Sequence, residues 1–157
     1  MRRRWTFACA VLPLILLMPL NAQKQTAKVG CFDKTAVVVA FYRSPLWAET
    51  LRGKKEEQRR AKEANDTAKL KELEEWGGTQ QELAHKQLAG EAPITNIVAA
   101  LQPAFVEIER ATKVSQVVPA PYGGKEESVD VTDALLDWLK ADERTRQVIR
   151  NARKNGK

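Results

Sequence analysis

Polar and charged residues dominate the middle of the chain, and apolar residues concentrate on either side of it. Residues 46–76 are rich in Glu, Lys, Arg, Gln and Ala and contain no proline. Most of these residues are strong helix formers, and opposite charges recur at the three- and four-residue spacing that a solvated helix surface favours. Ser44-Pro45 supplies an N-cap residue followed by proline in the first turn. The pattern therefore predicts a long polar helix that begins near residue 45.

Two glycines mark the expected turn between this helix and a second one. Gly77-Gly78 permit a sharp reversal because they lack Cβ atoms. The sequence Thr79-Gln80-Gln81-Glu82 follows directly and fits a capping box, in which Thr79 caps a new helix and Glu82 reaches back to it. The pattern therefore predicts a turn near residues 77–78 and a second limb antiparallel to the first.

The second limb is predicted to run to residue 113 with two kinks. Gly90 and Pro93 produce the first kink, at 90–93, which stays open as an alternative place for the hairpin turn. Pro103 produces the second kink. Limbs of about 30 residues would each be roughly 45 Å long at 1.5 Å per residue. Since few large apolar side chains lie along the first limb, the hairpin over residues 45–113 is expected to project from a body built by the chain ends.

The apolar segments on either side of the hairpin are expected to form a small β body with a C-terminal helix. In residues 23–44, the valine-rich run 36–41 fits either a buried strand or a short inner helix. In residues 114–141, two strand candidates at 114–118 and 128–131 precede a helix with a leucine stripe. The predicted fold class is therefore α+β and mostly helical. The residues expected in the core of the body, or of an oligomer, are Val37, Val39, Phe41, Val117, Val131, Leu135 and Leu139.

The two ends of the chain differ from the segments between them. Three arginines at positions 2–4 precede an apolar run, and Leu20-Asn21-Ala22 fits a small-residue cleavage site, which together are typical of a secretory signal peptide. Residues 1–22 are therefore expected to be removed on export to the periplasm. Residues 142–157 are basic and are expected to form a flexible, solvated tail. Weak attraction of this tail to an anionic membrane surface is the alternative.

Composition narrows the classes of function. The chain carries 26 Lys and Arg against 20 Asp and Glu, so its formal net charge of +6 becomes +3 when the three arginines at 2–4 are removed. This mixed charge, without a basic stripe interleaved with aromatic residues, argues against binding to nucleic acid. Cys9 lies in the expected signal peptide, so Cys31 has no partner within the mature chain. We expect Cys31 to be a buried small hydrophobe in a strand, while a reactive thiol and intermolecular pairing stay open.

Candidate catalytic chemistry is sparse. His85 is the only histidine and lies on the charged hairpin, where a surface position is the simplest expectation. One histidine and one mature cysteine cannot build a zinc cluster or a Cys/His nucleophile pair within one chain. Gly77-Gly78 and Gly123-Gly124 are not followed by the Lys-Ser/Thr pair of a phosphate-binding loop. We therefore expect no enzyme activity, no metal and no cofactor.

Large apolar residues return near the expected tip of the hairpin. They either lock the two limbs together or offer adaptable apolar surface to a partner, and the two interpretations are compatible. These residues are Leu70, Leu73, Trp76, Leu83 and Leu88.

The order of these parts resembles the Skp/OmpH-like periplasmic chaperones. The resemblance rests on the opening Lys28-Val29-Gly30-Cys31-Phe32-Asp33, on the charged hairpin, and on Ser128-Val129-Asp130-Val131-Thr132-Asp133-Ala134-Leu135-Leu136 before the last helix. It implies an ATP-independent holdase that binds unfolded outer-membrane proteins. It also implies a homotrimer whose hairpins surround a cavity, with the apolar residues of the hairpin as the client-contacting ones.

The residues also fit a different class of protein. An envelope adaptor or structural protein would use the hairpin as a coiled-coil docking arm for a single partner. The thin apolar content of residues 52–69, which is limited to alanines, favours this alternative. A holdase should bind several unrelated unfolded proteins, whereas an adaptor should bind one folded partner saturably.

Overall fold

The computed structural model describes residues 28–124 and 126–155, so the expected signal peptide over 1–22 lies outside the described residues. The described part is mostly helical and includes a small three-stranded sheet, which confirms the α+β, mostly helical class. In chain order its elements are β1 (Lys28–Phe32), α1 (Lys34–Arg43), α2 (Pro45–Glu63), α3 (Thr67–Ala89), α4 (Thr95–Ala100), α5 (Gln102–Thr112), β2 (Val114–Pro119), β3 (Ser128–Asp130), α6 (Thr132–Trp138) and α7 (Glu143–Asn155).

The sheet is parallel, with β1 between β2 and β3. Residue Cys31 of β1 is in register with Val118 of β2 and Asp130 of β3. Parallel neighbours need long crossover connections, and the helices α1 to α5 supply the one between β1 and β2. Gly30 sits where a Cβ atom would lie 3.2 Å from side-chain atoms of both Val114 and Val131. The sheet is therefore tightly packed around Gly30, and a side chain there would require the neighbouring valines to shift by a few tenths of an ångström.

The valine-rich run after β1 is helical. Asp33 caps α1, since its Oδ1 accepts a hydrogen bond of 3.0 Å from the backbone N–H of Ala36. The backbone N–H of Asp33 also donates to Oγ1 of Thr132 at 3.0 Å, which ties the start of α1 to the start of α6. Val37 and Val38 are fully buried by this arrangement. Of the two structures that the pattern allowed for residues 36–41, the cap and the surrounding core select the helix.

The body has a core that one chain completes. The rings of Phe32 and Phe105 lie 6.0 Å apart, and side chains from α1, α4, α5, α6 and α7 pack around them. Ile97, Leu101 and Leu135 are fully buried there. Among the residues expected in the core, Val39 is only half-buried, and the buried ones are Val37, Phe41, Val117, Val131, Leu135 and Leu139.

The turn between the two polar helices lies earlier in the chain than predicted. It occupies residues 64–66, where Asn65 has a φ of 54° and Asp66 accepts a 2.9 Å hydrogen bond from the backbone N–H of Lys69. Asparagine tolerates the left-handed region, and aspartate is a strong N-cap residue. These two neighbours therefore end one helix and begin the next within three residues.

The predicted turn at Gly77-Gly78 is wrong. The helix α3 runs through both glycines, and Thr79 donates a 2.9 Å side-chain hydrogen bond to the carbonyl of Glu75 in the preceding turn instead of capping a new helix. Glycine lowers helix stability without preventing a helix that flanking residues favour. The alternative hairpin turn at 90–93 is also wrong, because the chain has already reversed between α2 and α3 at residues 64–66. Residues 90–93 only follow the end of α3, which Gly90 caps with a φ of 77°.

We define the arm as α2 together with residues 67–76 of α3. Along the arm, Trp47 stacks on Trp76 with ring centroids 6.3 Å apart, and Glu57 lies 3.8 Å from Lys69. These partners occur in opposite order along the two helices. Ala61 is the buried residue of α2. With 19 residues, α2 is roughly 28 Å long, so the arm is shorter than the predicted 45 Å.

The predicted flexible tail over 142–157 is wrong for its described residues, because they form α7. Oδ1 of Asp142 accepts a 2.7 Å hydrogen bond from the backbone N–H of Thr145 and so caps the helix. Ile149 is 3% exposed within the core of the body. On the surface, Arg153 pairs with Asp33 at 2.8 Å, far away in sequence. The basic composition of the segment did not indicate these contacts, because only a few of its residues make them.

Candidate binding surfaces

The apolar residues expected to contact clients do not form one surface. Leu73 is buried at 7% exposure, and Leu88 is exposed at 42%, while Leu70, Trp76 and Leu83 are half-buried. Leu73 and Trp76 line a recess of the arm, whereas Leu88 lines a separate groove further along α3. Leu70 and Leu83 line neither hollow, so the structure does not bring the five predicted residues together.

The recess of the arm lies between α2 and α3 and is open and shallow, with a volume of about 130 Å³. Leu51, which is 37% exposed, shares it with Leu73 and Trp76. Nζ of Lys54 lies 5.6 Å from the centroid of the Trp76 ring, within the range of a cation–π interaction. Lys55 and Gln58 complete the rim. We call this apolar hollow with its cationic rim the arm recess.

Aromatic side chains connect the arm to the body. Trp47 of α2 packs edge-on against Tyr42 with a centroid distance of 5.1 Å, and its ring centroid is 5.8 Å from that of Phe41. Its other contact is the stacked ring of Trp76. Aromatic pairs of this geometry contribute about 0.5–1.5 kcal/mol each beyond their buried area. Trp47 is therefore the residue that joins α1, α2 and α3 at the base of the arm.

A second apolar hollow, which we call the α1–α3 groove, has a volume of about 270 Å³. The helix α3 contributes positions 81, 84, 85 and 88, a spacing that places them on one face. This face includes His85, which is exposed. The residues that line the groove are Val38, Val39, Tyr42, Arg43, Gln81, Ala84, His85, Leu88 and Val148.

Hydrogen bonds hold the wall of this groove in place. The hydroxyl of Tyr42 donates to Oε1 of Gln87 at 2.8 Å. Nε2 of Gln87, a buried side chain, donates to the carbonyl of Pro93 at 2.7 Å and to Oδ1 of Asn96 at 2.6 Å. Gln87 therefore links α3 to Tyr42 of α1, to Pro93 and to Asn96 of α4 beside the groove.

A third hollow lies where the arm meets the end of α6. Its volume is about 480 Å³, and it is open to solvent. Leu46, which is 41% exposed, lines it opposite Trp138 and Leu139. This hollow adds apolar surface at the base of the arm.

Many charged groups of the arm form ion pairs on its solvent-exposed surface. Hydrogen bonds from Arg59 and Arg60 lower the pKa of Glu56 from 4.5 to about 2. A hydrogen bond from Lys54 lowers the pKa of Glu57, and the Glu72 carboxylate raises the pKa of Lys69. Each of these groups stays charged near neutral pH, because every shift stabilises the charged form.

The described residues hold little other chemistry. Within 28–124 and 126–155, no group of three or more His, Cys, Asp or Glu side chains is arranged to hold a metal ion. Cys31 is a free thiol on β1 and is half-buried, so it is more accessible than predicted. No helix in this part of the chain has the length and apolar character needed to cross a membrane.

Sequence reasoning missed the α1–α3 groove as a surface. Its floor combines Val38 and Val39 of α1 with Val148 of α7, a helix that was expected to be flexible. The sequence feature that could have indicated it is the set of positions 81, 84, 85 and 88. These positions share one helix face when α3 is a single helix through Gly77 and Gly78.

No family model, curated protein or solved structure matches this chain. The resemblance to Skp/OmpH-like chaperones therefore stays a prediction.

Proposed function

We propose that the protein is an ATP-independent holdase chaperone of the periplasm that binds unfolded outer-membrane proteins along its arm. The observation that carries this proposal is the combination on the arm of a charged, solvent-exposed surface with an open apolar recess at Leu51, Leu73 and Trp76. The resemblance of the sequence to Skp/OmpH-like chaperones supports the same function.

The chemistry of the arm recess suits weak and adaptable binding. A hollow of about 130 Å³ has room for about one apolar side chain. The aliphatic stems of Lys54 and Lys55 add apolar area around it while their ammonium groups remain in water. Such a site binds many short apolar segments weakly, so clients are held and released without nucleotide.

We further propose that the working form is a homotrimer, as the resemblance implies. Several arms acting on one client would raise the overall affinity without any strong single contact. Because α2 is roughly 28 Å long, the space between three such arms would be smaller than 45 Å limbs would enclose. This restricts the proposal to small clients or to segments of larger ones.

The test is suppression of aggregation by the mature chain, residues 23–157. A urea-unfolded outer-membrane barrel protein is diluted into buffer without ATP, and light scattering is followed with increasing amounts of chaperone. Leu51→Glu places a carboxylate in the arm recess. This variant should need about ten times the wild-type concentration to suppress aggregation to the same extent. The matched control is Val106→Glu, at a residue of α5 that is 52% exposed and outside the recess.

Two results would contradict the holdase. One is wild-type protein that leaves aggregation unchanged. The other is equal loss in Leu51→Glu and Val106→Glu, which would separate any suppression from the arm recess.

A second function has its own support. An envelope adaptor that docks one partner through the arm is favoured by the core of the body, which one chain buries without a partner subunit. Light scattering after size-exclusion chromatography distinguishes the two. An elongated trimer favours the holdase, whereas a monomer that binds a single folded envelope protein saturably favours the adaptor.

A further inference from the structure

The α1–α3 groove leaves an apolar helix face uncovered. Leu88 is 42% exposed although it shares a face of α3 with Ala84 and Gln81, which line the same hollow as Val38 and Val39. Three helices, α1, α3 and α7, supply the walls. A fourth helix laid in the groove would cover this face in the way that amphipathic helices commonly fill hydrophobic grooves.

The charge around the groove is one-sided. No carboxylate lines it, and Arg43 does. Arg144 does not line the hollow, but it lies one helical turn before Val148, which does, and so shares that side of α7. Within the described residues neither Arg43 nor Arg144 forms an ion pair or a side-chain hydrogen bond. The nearby carboxylate, Asp142, caps α7 through Thr145, and the charges of Arg43 and Arg144 add to this hydrogen bond in lowering the pKa of Asp142.

This contrasts with the other arginines of α7. Arg146 pairs with Asp137 at 2.5 Å, Arg153 pairs with Asp33 at 2.8 Å, and Arg150 pairs with Glu143. Arg146 and Arg153 therefore hold α7 on the body through carboxylates outside that helix, whereas the pair Arg150–Glu143 lies within α7. Arg43 and Arg144 make no close ion pair in the described part of the chain, so their guanidinium groups can reach a ligand.

We propose that the α1–α3 groove is a docking site for an acidic amphipathic helix of another protein. The apolar residues of that helix, spaced at i, i+3 or i+4 and i+7, cover Leu88, Val39 and Val148. A glutamate or aspartate beside them pairs with Arg43 and Arg144. A second copy of this basic chain is a poorer occupant, because it brings the same positive charge towards the two arginines.

This site is separate from the arm recess and does not depend on the holdase function. Its residues come from α1, α7 and the second half of α3, and none of them lines the arm recess. Loss of one activity with retention of the other is therefore measurable.

The experiment uses the mature chain and a fluorescently labelled helical peptide with leucines at i, i+3, i+7 and flanking glutamates. Binding is followed by fluorescence anisotropy at physiological salt, and a second peptide carries lysine at each glutamate position. The acidic peptide should bind about tenfold or more tightly than the basic one. Its affinity should fall as salt is added.

Variants locate the peptide. Leu88→Glu should weaken binding of the acidic peptide by about tenfold or more, and Val106→Glu, another exposed apolar position, should leave it unchanged. The double variant Arg43→Glu with Arg144→Glu should reverse the preference in favour of the basic peptide. Circular dichroism verifies that each variant keeps its helical content, and the aggregation assay verifies that Leu88→Glu keeps its holdase activity.

Three results would overturn the proposal. The first is binding of both peptides with equal affinity, or of neither. The second is acidic-peptide binding that survives Leu88→Glu. The third is a dimer, detected by light scattering, that Leu88→Glu dissociates, because the groove would then be an interface between copies of this chain.

Discussion

The arm and the body of this protein are built on different physical principles. In the body, residues such as Ile97, Leu101 and Leu135 are fully buried in a core shared by helices and the sheet. In the arm, Ala61 and Leu73 are the buried apolar residues, and ion pairs such as Lys54 with Glu57 cover the surface. Solvent-exposed ion pairs contribute about 0–1 kcal/mol each. The free energy of folding is therefore concentrated in the body.

This difference predicts that the arm opens locally more easily than the body. A helix with few buried contacts opens at low free energy, whereas a core element opens only with global unfolding. The aromatic side chain of Trp47 marks the boundary, because it packs on Phe41 and Tyr42 of the body and on Trp76 of the arm. The contrast is testable by substitutions on either side of this boundary.

The largest effect is expected from Leu135→Ala in the body. Leu135 is fully buried, so its truncation removes buried area and leaves a cavity. We expect a loss of about 3 kcal/mol in the free energy of unfolding, measured by urea denaturation. Leu51→Ala on the arm serves as the control and should cost less than about 1 kcal/mol. Equal losses in the two variants would contradict the division between body and arm.

A smaller and local effect is expected from Leu73→Ala. Leu73 is 7% exposed between the helices of the arm, so its truncation should lower the local opening free energy of the arm by about 2 kcal/mol. Hydrogen exchange should become faster in α2 and in residues 67–76, with little change in β1 or α6. Leu88→Ala, at an exposed position of the same helix, is the control and should leave arm exchange unchanged. Faster exchange throughout the body would show that the arm is not a separate unit.

A gain in stability is expected from replacing Gly77 and Gly78 with alanine. Both lie inside α3, and a Cβ atom at either position meets nothing within 4 Å. Each substitution should stabilise the helix by up to about 1 kcal/mol, measured by thermal denaturation. Gly90→Ala is the matched control, since its φ of 77° should make alanine destabilising. Destabilisation by alanine at 77 or 78 would instead support a turn there.

The smallest effect is expected from the ion pairs of the arm. The pKa of Glu56 lies near 2 in the folded chain, below its ordinary value of 4.5. Its contribution to stability is therefore fully present above pH 4.5 and is lost as the pH falls towards 2. Far-UV circular dichroism should show a small decrease of helicity in this window, reduced in Glu56→Gln. A change of the same size in Glu56→Gln would assign the effect to other carboxylates.

Local patterns predicted the elements whose signals lie within a few residues. The start of α2 at Ser44-Pro45 follows from an N-cap and a proline, and Oγ of Ser44 accepts the predicted bond from the backbone N–H of Trp47 at 3.2 Å. The leucine stripe of α6 was equally readable. The hairpin turn was predicted at the two glycines instead of at Asn65-Asp66. In the structure, Asn65 ends α2 in the left-handed conformation and Asp66 caps α3, so these two residues are the stronger stop and start signals in this chain.

Contacts between distant segments were not readable in the same way. Whether Leu73 packs between the helices of the arm or contacts a partner depends on which face of α3 meets α2, and that register follows from the turn at 64–66. The α1–α3 groove requires α1, α3 and α7 together, so its residues could be identified only after the tail had been found to be helical.

The sequence by itself determined the helical character of the arm, the apolar content of the body and the presence of α6, because these depend on propensity, capping and period along a short stretch. Tertiary structure decided the helical state of residues 36–41, the order of the parallel strands and the docking of α7. Those features depend on partners far away in sequence: Asp33 with Arg153, Asp33 with Thr132, and Ile149 with the core. The free energy of such contacts exists only when the whole body assembles.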